Sequence, residues 1–258
     1  MCRSFGLLTL SMATTNALTP MPVVRSIRSV VVMKEPATTE RLPPQRSIPA
    51  SAAEAVAFLT KTAETKAEDS QAVINTLVGL EKTMRAEAKL EAGLSSATLD
   101  ALDGAWRLVF TTGTVDTQKK IGGTISYFPL KAIQTFDTRS VPMAITNGIY
   151  VGDVAVLKFY GPFEWKAAQR KLTFDFDYIA IFGLKIKLPK GGAAELGAAS
   201  GLGAKSNIER AKRELPAFFN WISANNDIAT ARGGGGGLAL WRRDLDAQAE
   251  MRPATSEA

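Results

Sequence analysis

Histidine is absent from this 258-residue chain, and cysteine occurs once, at Cys2. A body with neither residue has no disulfide framework, no zinc site of thiolates or imidazoles, and no Ser–His or Cys–His nucleophile. Carboxylate, lysine and tyrosine chemistry stay open, but the commonest acid–base residue is missing. Acidic residues are absent from 1–33, where Arg3, Arg25 and Arg28 supply the only charges. No run reaches the ~18 consecutive apolar residues of a membrane-crossing helix. Any meeting with a membrane or lipid droplet is therefore expected to be peripheral.

What is present is ordinary for a globular chain: 46% hydrophobic and 22% charged residues. The formal charge is +6, and without 1–33 the remainder carries 28 basic against 25 acidic residues. A balance that close argues against an electrostatic nucleic-acid binder.

Residues 1–33 read as a targeting leader. Arg3, the apolar stretch Phe5 to Leu10 and the small residues Ala13 to Ala17 have the order of a short secretory signal. Leu18 to Met33, with Arg25, Ser26, Arg28 and Ser29, has the composition of a transit peptide. Joined, they form the two-part address of algae whose plastids lie behind extra membranes; a single transit peptide is the simpler reading. Residues 34–50, with Pro36, Pro43, Pro44 and Pro49, read as a linker, and 246–258 as a disordered tail.

Between these lies one domain, 51–245. The capping box Ser51-Ala-Ala-Glu54 opens a helix expected to reach Thr65. A second is expected from Ser70, with Val73, Leu77, Leu80 and Met84 on one face and Gly93 as its C-cap. From Gly104 the period becomes alternating. Strands are expected at Gly104–Thr111, Ala132–Thr138, Met143–Tyr150, Asp153–Tyr160, Phe163–Ala167, Lys171–Tyr178 and Leu184–Leu188. Residues 190–205, rich in Gly and Ala, read as a flexible insertion, followed by a short helix from Ser206 to Leu215. Asp227–Ala231 and Gly237–Trp241 read as a closing hairpin across the glycine run Gly233–Gly237. Clean alternation implies a sheet wet on one face and packed on the other. The fold class is thus α+β, mainly β: an antiparallel sheet or barrel preceded by two or three helices.

Gly104-Ala-Trp106 matches the lipocalin Gly-x-Trp pattern, and the resemblance implies that the antiparallel strands close into a lipocalin-like β-barrel. Leu102-Asp-Gly-Ala-Trp-Arg-Leu108 with Thr111-Thr112, and Asn225-Asn-Asp-Ile-Ala-Thr-Ala-Arg-Gly233 with Leu238-Ala-Leu-Trp241, carry a closer likeness. With Gln134 and Asn147 at matching places, the chain over about 53–243 resembles the plastid lipid-associated (fibrillin) proteins. It departs from them at Ile228-Ala-Thr, in its longer glycine run and in the 190–205 insertion. The resemblance implies a Trp106 plug at one barrel end, with Arg242 or Arg243 across its ring. It also implies motif roles for Gly104, Gln134, Asn147, Asp227, Arg232 and Gly233.

Trp106, Leu108, Phe110, Phe128, Phe136, Phe159, Phe174, Phe176 and Tyr178 are candidates to line a ligand cavity, or else simply fill the core. Asp175 and Asp177 share a strand face, and read as solvated rather than catalytic. Asp227 is expected to cap a turn, and Arg232 to pair with it or with an anionic headgroup. The glycine run lacks the Lys-Ser/Thr of a phosphate loop and reads as a flexible tip. Phe218, Phe219 and Trp221, beside Lys205, Arg210, Lys212 and Arg213, are membrane-contact candidates or a cover for one barrel end.

The implied function is non-enzymatic binding of a carotenoid, quinone, pigment or acyl lipid in a plastid, at thylakoids or plastoglobules. No cofactor and no metal is expected. The alternatives are an assembly factor acting through its surface and, ranked lower, an enzyme on an apolar substrate.

Overall fold

The computed structural model describes residues 52–192, 209, 212–213 and 215–251. The leader, the linker, Ser51, most of the Gly/Ala insertion, the end of the chain and most of the expected 206–215 helix lie outside them.

Helix α1 (Ala52–Thr65) buries Ala55, Leu59, Thr62 and Ala63, and α2 (Ser70–Glu87) buries Val73, Thr76, Leu77, Leu80 and Met84. These spacings make one apolar stripe on each helix. Asp69 caps α2 by accepting the Ala72 N–H at 2.9 Å. Gly79 does not interrupt α2. Gly93 is not its C-cap: α2 has already ended, and Gly93 precedes a further helix, α3 (Leu94–Leu102).

The strands are β1 (Gly104–Thr111), β2 (Ser126–Tyr127), β3 (Lys131–Asp137), β4 (Ala144–Val151), β5 (Val154–Lys166) and β6 (Lys171–Phe174). They continue as β7 (Tyr178–Ile181), β8 (Leu184–Lys187), β9 (Ala217–Ala224), β10 (Ile228–Gly233) and β11 (Leu238–Arg243). A short helix α4 (Val115–Ile121) follows β1, and α5 (Leu245–Met251) follows β11. The tail expected to be disordered therefore begins as a helix. Its Gln248 accepts a hydrogen bond from Arg243 at 3.1 Å.

Strands β4, β3, β1, β11, β10, β9, β6 and β5 follow one another by antiparallel pairing, and β4 pairing with β5 closes an eight-stranded barrel. Closure rests on the thirteen-residue β5, which replaces two expected strands. Its first part pairs with β4 and β7, its last with β6. The expected strand Lys171–Tyr178 is accordingly split, with a break at Asp175–Asp177. The break sits against Gly161, where an added Cβ would lie 1.9 Å from the Asp175 carbonyl oxygen. Asp175 spends its carboxylate on the backbone N–H groups of Phe176 (2.9 Å) and Gly191 (3.3 Å).

Two cores result. On the outer wall, α1 and α2 cover Val109, Phe110, Ile222, Ile228, Leu238 and Leu240. Inside the barrel, Trp106, Phe136, Ile145, Phe163, Leu172, Phe174, Trp221 and Trp241 pack with Ala229, Ala231 and Ala239. The alanines alternate with Ile228, Thr230, Leu238 and Leu240, so small residues make room for indoles inside while larger ones meet the helices outside. No helix among the described residues is long and apolar enough to cross a membrane.

Candidate functional site

The base of the barrel is closed by Trp106, fully buried, whose Nε1–H donates to the Leu102 carbonyl at 2.8 Å. Arg243, not Arg242, lies over its ring at 4.1 Å. The two positions differ because Trp106 stands in register with Arg243, whereas Arg242 pairs with Arg107 on the outward face. The Arg243 guanidinium donates to the carbonyls of Ala101, Asp103, Asn225 and Asn226 and to Gln248. Burial lowers its pKa, although Asp103 and Asp227 oppose the shift. Gly104 has φ +122°, and an added Cβ would lie 2.4 Å from Gln248 Oε1. The positive φ calls for glycine at the first position of the Gly-x-Trp pattern, and a side chain there would also push Gln248 off Arg243.

Above this base runs a continuous seam of rings. Phe163 meets Phe136, and Phe136 meets Trp221 edge-on with centroids 5.4 Å apart. Trp221 contacts Trp241 and Phe219, Phe219 stacks on Phe174 at 5.3 Å, and Phe176 bridges Phe174 to Phe159. Trp221 and Phe219 thus point into the barrel, leaving Phe218 as the outward member of that cluster, with Lys171 Nζ 4.0 Å from its ring centroid.

Of the cavity candidates, Trp106, Leu108, Phe136 and Phe174 pack within the interior, and Phe159 and Phe176 reach its partly exposed end. Phe110 is outside. The irregularity between Leu108 and Phe110 turns it toward the helices, where it meets Tyr127 edge-on at 5.4 Å. Tyr178 is also outside, because the 175–177 break changes its face; Lys185 sits over its ring at 4.4 Å. Phe128 is tied by its N–H to the Val109 carbonyl.

Register places inward-facing residues of β3, β4, β5, β7 and β8 in rows. Phe136, Ile145 and Gly161 form the first, and Gln134, Asn147, Phe159, Ile179 and Ile186 the second. The third is Ala132, Ile149, Leu157, Ile181 and Leu184. Apolar surface therefore continues past the packed rings onto an exposed sheet extension. Its hairpin tips carry exposed Val151, Val154, Ile181, Phe182 (75% exposed) and Leu184 (69%). Phe182 has φ +47° beside Gly183 at +85°, a two-residue turn where Asn or Gly is the unstrained choice.

Arg232 meets neither Asp227 nor solvent alone. It grips Glu81 of α2 through bonds of 2.6 to 3.1 Å and donates to the Gly236 carbonyl at 2.7 Å. These hydrogen bonds hold the Glu81 carboxyl below the usual range against the opposing effect of burial. The turn role expected of Asp227 belongs to Asn225, whose Oδ1 accepts the N–H groups of Asp227 and Ile228, both at 2.8 Å. The glycine run is docked rather than free: Val115 N–H donates to the Gly235 carbonyl at 3.0 Å, and Gly233 N–H to that of Gly237 at 2.9 Å.

A cleft of about 520 Å³ lies outside the barrel, lined by Glu81, Arg85, Lys89, Arg170 and neighbours. Sequence reading missed Arg170. It is buried, donates to the Ile222 (2.8 Å) and Met84 (3.0 Å) carbonyls, and so bolts α2 to β9. With its donors spent on backbone and both charge signs around it, the cleft reads as a structural seam.

No protein-family model matches the chain, and no curated protein matches it at a significant level. Among solved structures it is similar to an NMR structure of a protein from Burkholderia xenovorans, at 16% identity and a TM-score of 0.31, covering 57% of this chain and 87% of that one. An overlap that loose bears on neither fold detail nor function.

Proposed function

We propose that this chain is a non-enzymatic carrier that holds an apolar lipid or isoprenoid in the barrel end lined by Phe159, Phe176 and Phe174. The observation that carries it is the ring seam, which does not stop at the closed core but leads to partly exposed aromatics and an apolar sheet extension. Covering that surface with ligand gains about 25 cal/mol per Å² before the entropic costs of association. The leader-like composition of 1–33 and the fibrillin-like motifs support a plastid setting, at thylakoids or plastoglobules. The direct test is titration of the full chain with the apolar dye N-phenylnaphthylamine. Dye fluorescence should rise on binding, and the Phe159→Asp/Phe176→Asp variant should weaken it more than about tenfold, because a carboxylate must be desolvated beside the ligand. Absence of binding, or equal binding by a folded variant, sinks the reading.

Contact with the membrane or globule surface is assigned to the tips bearing Val151, Val154, Phe182 and Leu184, in place of Phe219 and Trp221. Exposed apolar residues backed by Lys158, Lys185 and Lys187 suit an anionic lipid surface. In flotation assays with phosphatidylglycerol vesicles, Phe182→Ser/Leu184→Ser should abolish co-flotation. Unchanged flotation removes the tips from the proposal.

The second reading, an assembly factor acting through its surface, is favoured by the dense packing of rings between Phe163 and Phe174. It differs in expecting no dye binding.

A further inference from the structure

Two side-chain polar atoms among the described residues are buried without a hydrogen-bond partner: Gln134 Oε1 and Trp221 Nε1. Gln134 is 7% exposed and Trp221 2%. Both side chains face the barrel interior. Gln134 stands in register with Trp106 on one side and Asn147 on the other, and Trp221 packs among Phe136, Phe219 and Trp241. They also flank the same ring. Phe136 is two residues along β3 from Gln134, about 7 Å at strand rise, and its centroid is 5.4 Å from that of Trp221. One atom is an acceptor and the other a donor, and leaving either unpaired in an apolar interior is costly.

We infer that Gln134 and Trp221 form a hydroxyl-reading pair inside the barrel, selecting an apolar ligand that carries an alcohol or phenol. A hydroxyl donates one hydrogen bond and accepts others, so it satisfies Gln134 Oε1 and Trp221 Nε1 together. A carbonyl satisfies the indole alone, and a hydrocarbon neither. Position fits the role. The Gln134–Asn147 row lies between the packed Phe136–Ile145 row and the Ala132–Ile149–Leu157 row that leads outward, so the hydroxyl end enters first and the apolar chain fills the exposed end. The inference rests on the carrier reading and goes beyond it by naming the group that is read.

The test is competition for the dye on the full chain, using farnesol and farnesene, which share an isoprenoid chain and differ in the hydroxyl. Farnesol should displace the dye at roughly ten- to hundredfold lower concentration. Gln134→Leu should shrink that preference to a few-fold, with its fold confirmed by circular dichroism. Trp221→Phe should do the same, and the indole N–H resonance should shift with farnesol and not with farnesene. Equal displacement by both compounds, or by neither, overturns the hydroxyl inference while dye binding still upholds a carrier. A preference for farnesol that survives Gln134→Leu and Trp221→Phe also overturns it, leaving the two atoms to a buried water. No dye binding at all overturns the carrier reading and this inference with it.

Discussion

Trp106→Ala should lower the unfolding free energy by about 3–5 kcal/mol, the range for emptying an indole-sized space in a packed core. The whole stability of a domain is about 5–15 kcal/mol, so this substitution alone brings the fold near its limit. More than volume is lost. The indole N–H leaves the Leu102 carbonyl unpaired, and Arg243 loses the ring beneath it. Because Arg243 also ties α3, the β9–β10 turn and α5 to the base, Arg243→Leu should be comparably harmful, by about 3 kcal/mol. The two losses overlap, so the double variant should fall short of their sum by about 1 kcal/mol or more. Arg243→Lys should recover little, since an ammonium cannot stack on the ring while reaching several carbonyls. Urea unfolding of the four chains checks this, and additive losses contradict a shared plug.

Gly161→Val should open the barrel where β5 hands over from β7 to β6. An added Cβ meets a backbone oxygen, not the movable end of a side chain, so the strand must shift. Overpacking of that kind costs about 1–3 kcal/mol and more where nothing yields, and here about 3 kcal/mol is expected. The damage should be local first. Hydrogen exchange should quicken in Tyr178–Lys187 and at Asp177, whose N–H donates to the Tyr160 carbonyl at 2.9 Å, while β10 and β11 keep their protection. Gly123→Ala, with nothing within 4 Å of its added Cβ, is the control. Equal effects at the two glycines contradict the account of closure.

Periodicity exposed much of this fold, and its failures have physical causes. Helices α1 and α2 show clear 3.6-residue stripes, and Trp106, Arg107 and Leu108 alternate at the start of β1. Strand β9 escaped because four of the five residues Phe218-Phe219-Asn220-Trp221-Ile222 are apolar and Trp221, Ile222 and Ser223 are buried in succession, so no alternation marks it as a strand. Helix α3, Ser- and Thr-rich and nine residues long, has too little intrinsic propensity to stand out. Two candidate residues were placed on the wrong face because one irregularity inverts everything beyond it: the slip before Phe110 and the break before Tyr178. The Glu81–Arg232 pair spans 151 positions and leaves no local trace. The Gly-x-Trp plug was legible because its parts obey one register, with the arginine settled only by pairing. Gln134 was noticed for its place in a motif, whereas its unpartnered oxygen emerges only once the barrel closes around it.

The measurement closest to the central claim is mass spectrometry of an organic extract of the full chain, expressed in a pigmented alga and purified without detergent. About one apolar, hydroxyl-bearing lipid per chain is expected, and it should be missing from the folded Phe159→Asp/Phe176→Asp variant. A wild-type chain that comes from the same cells free of lipid, or variants that carry the same lipid in the same amount, would contradict a ligand seated at the aromatic end of the barrel.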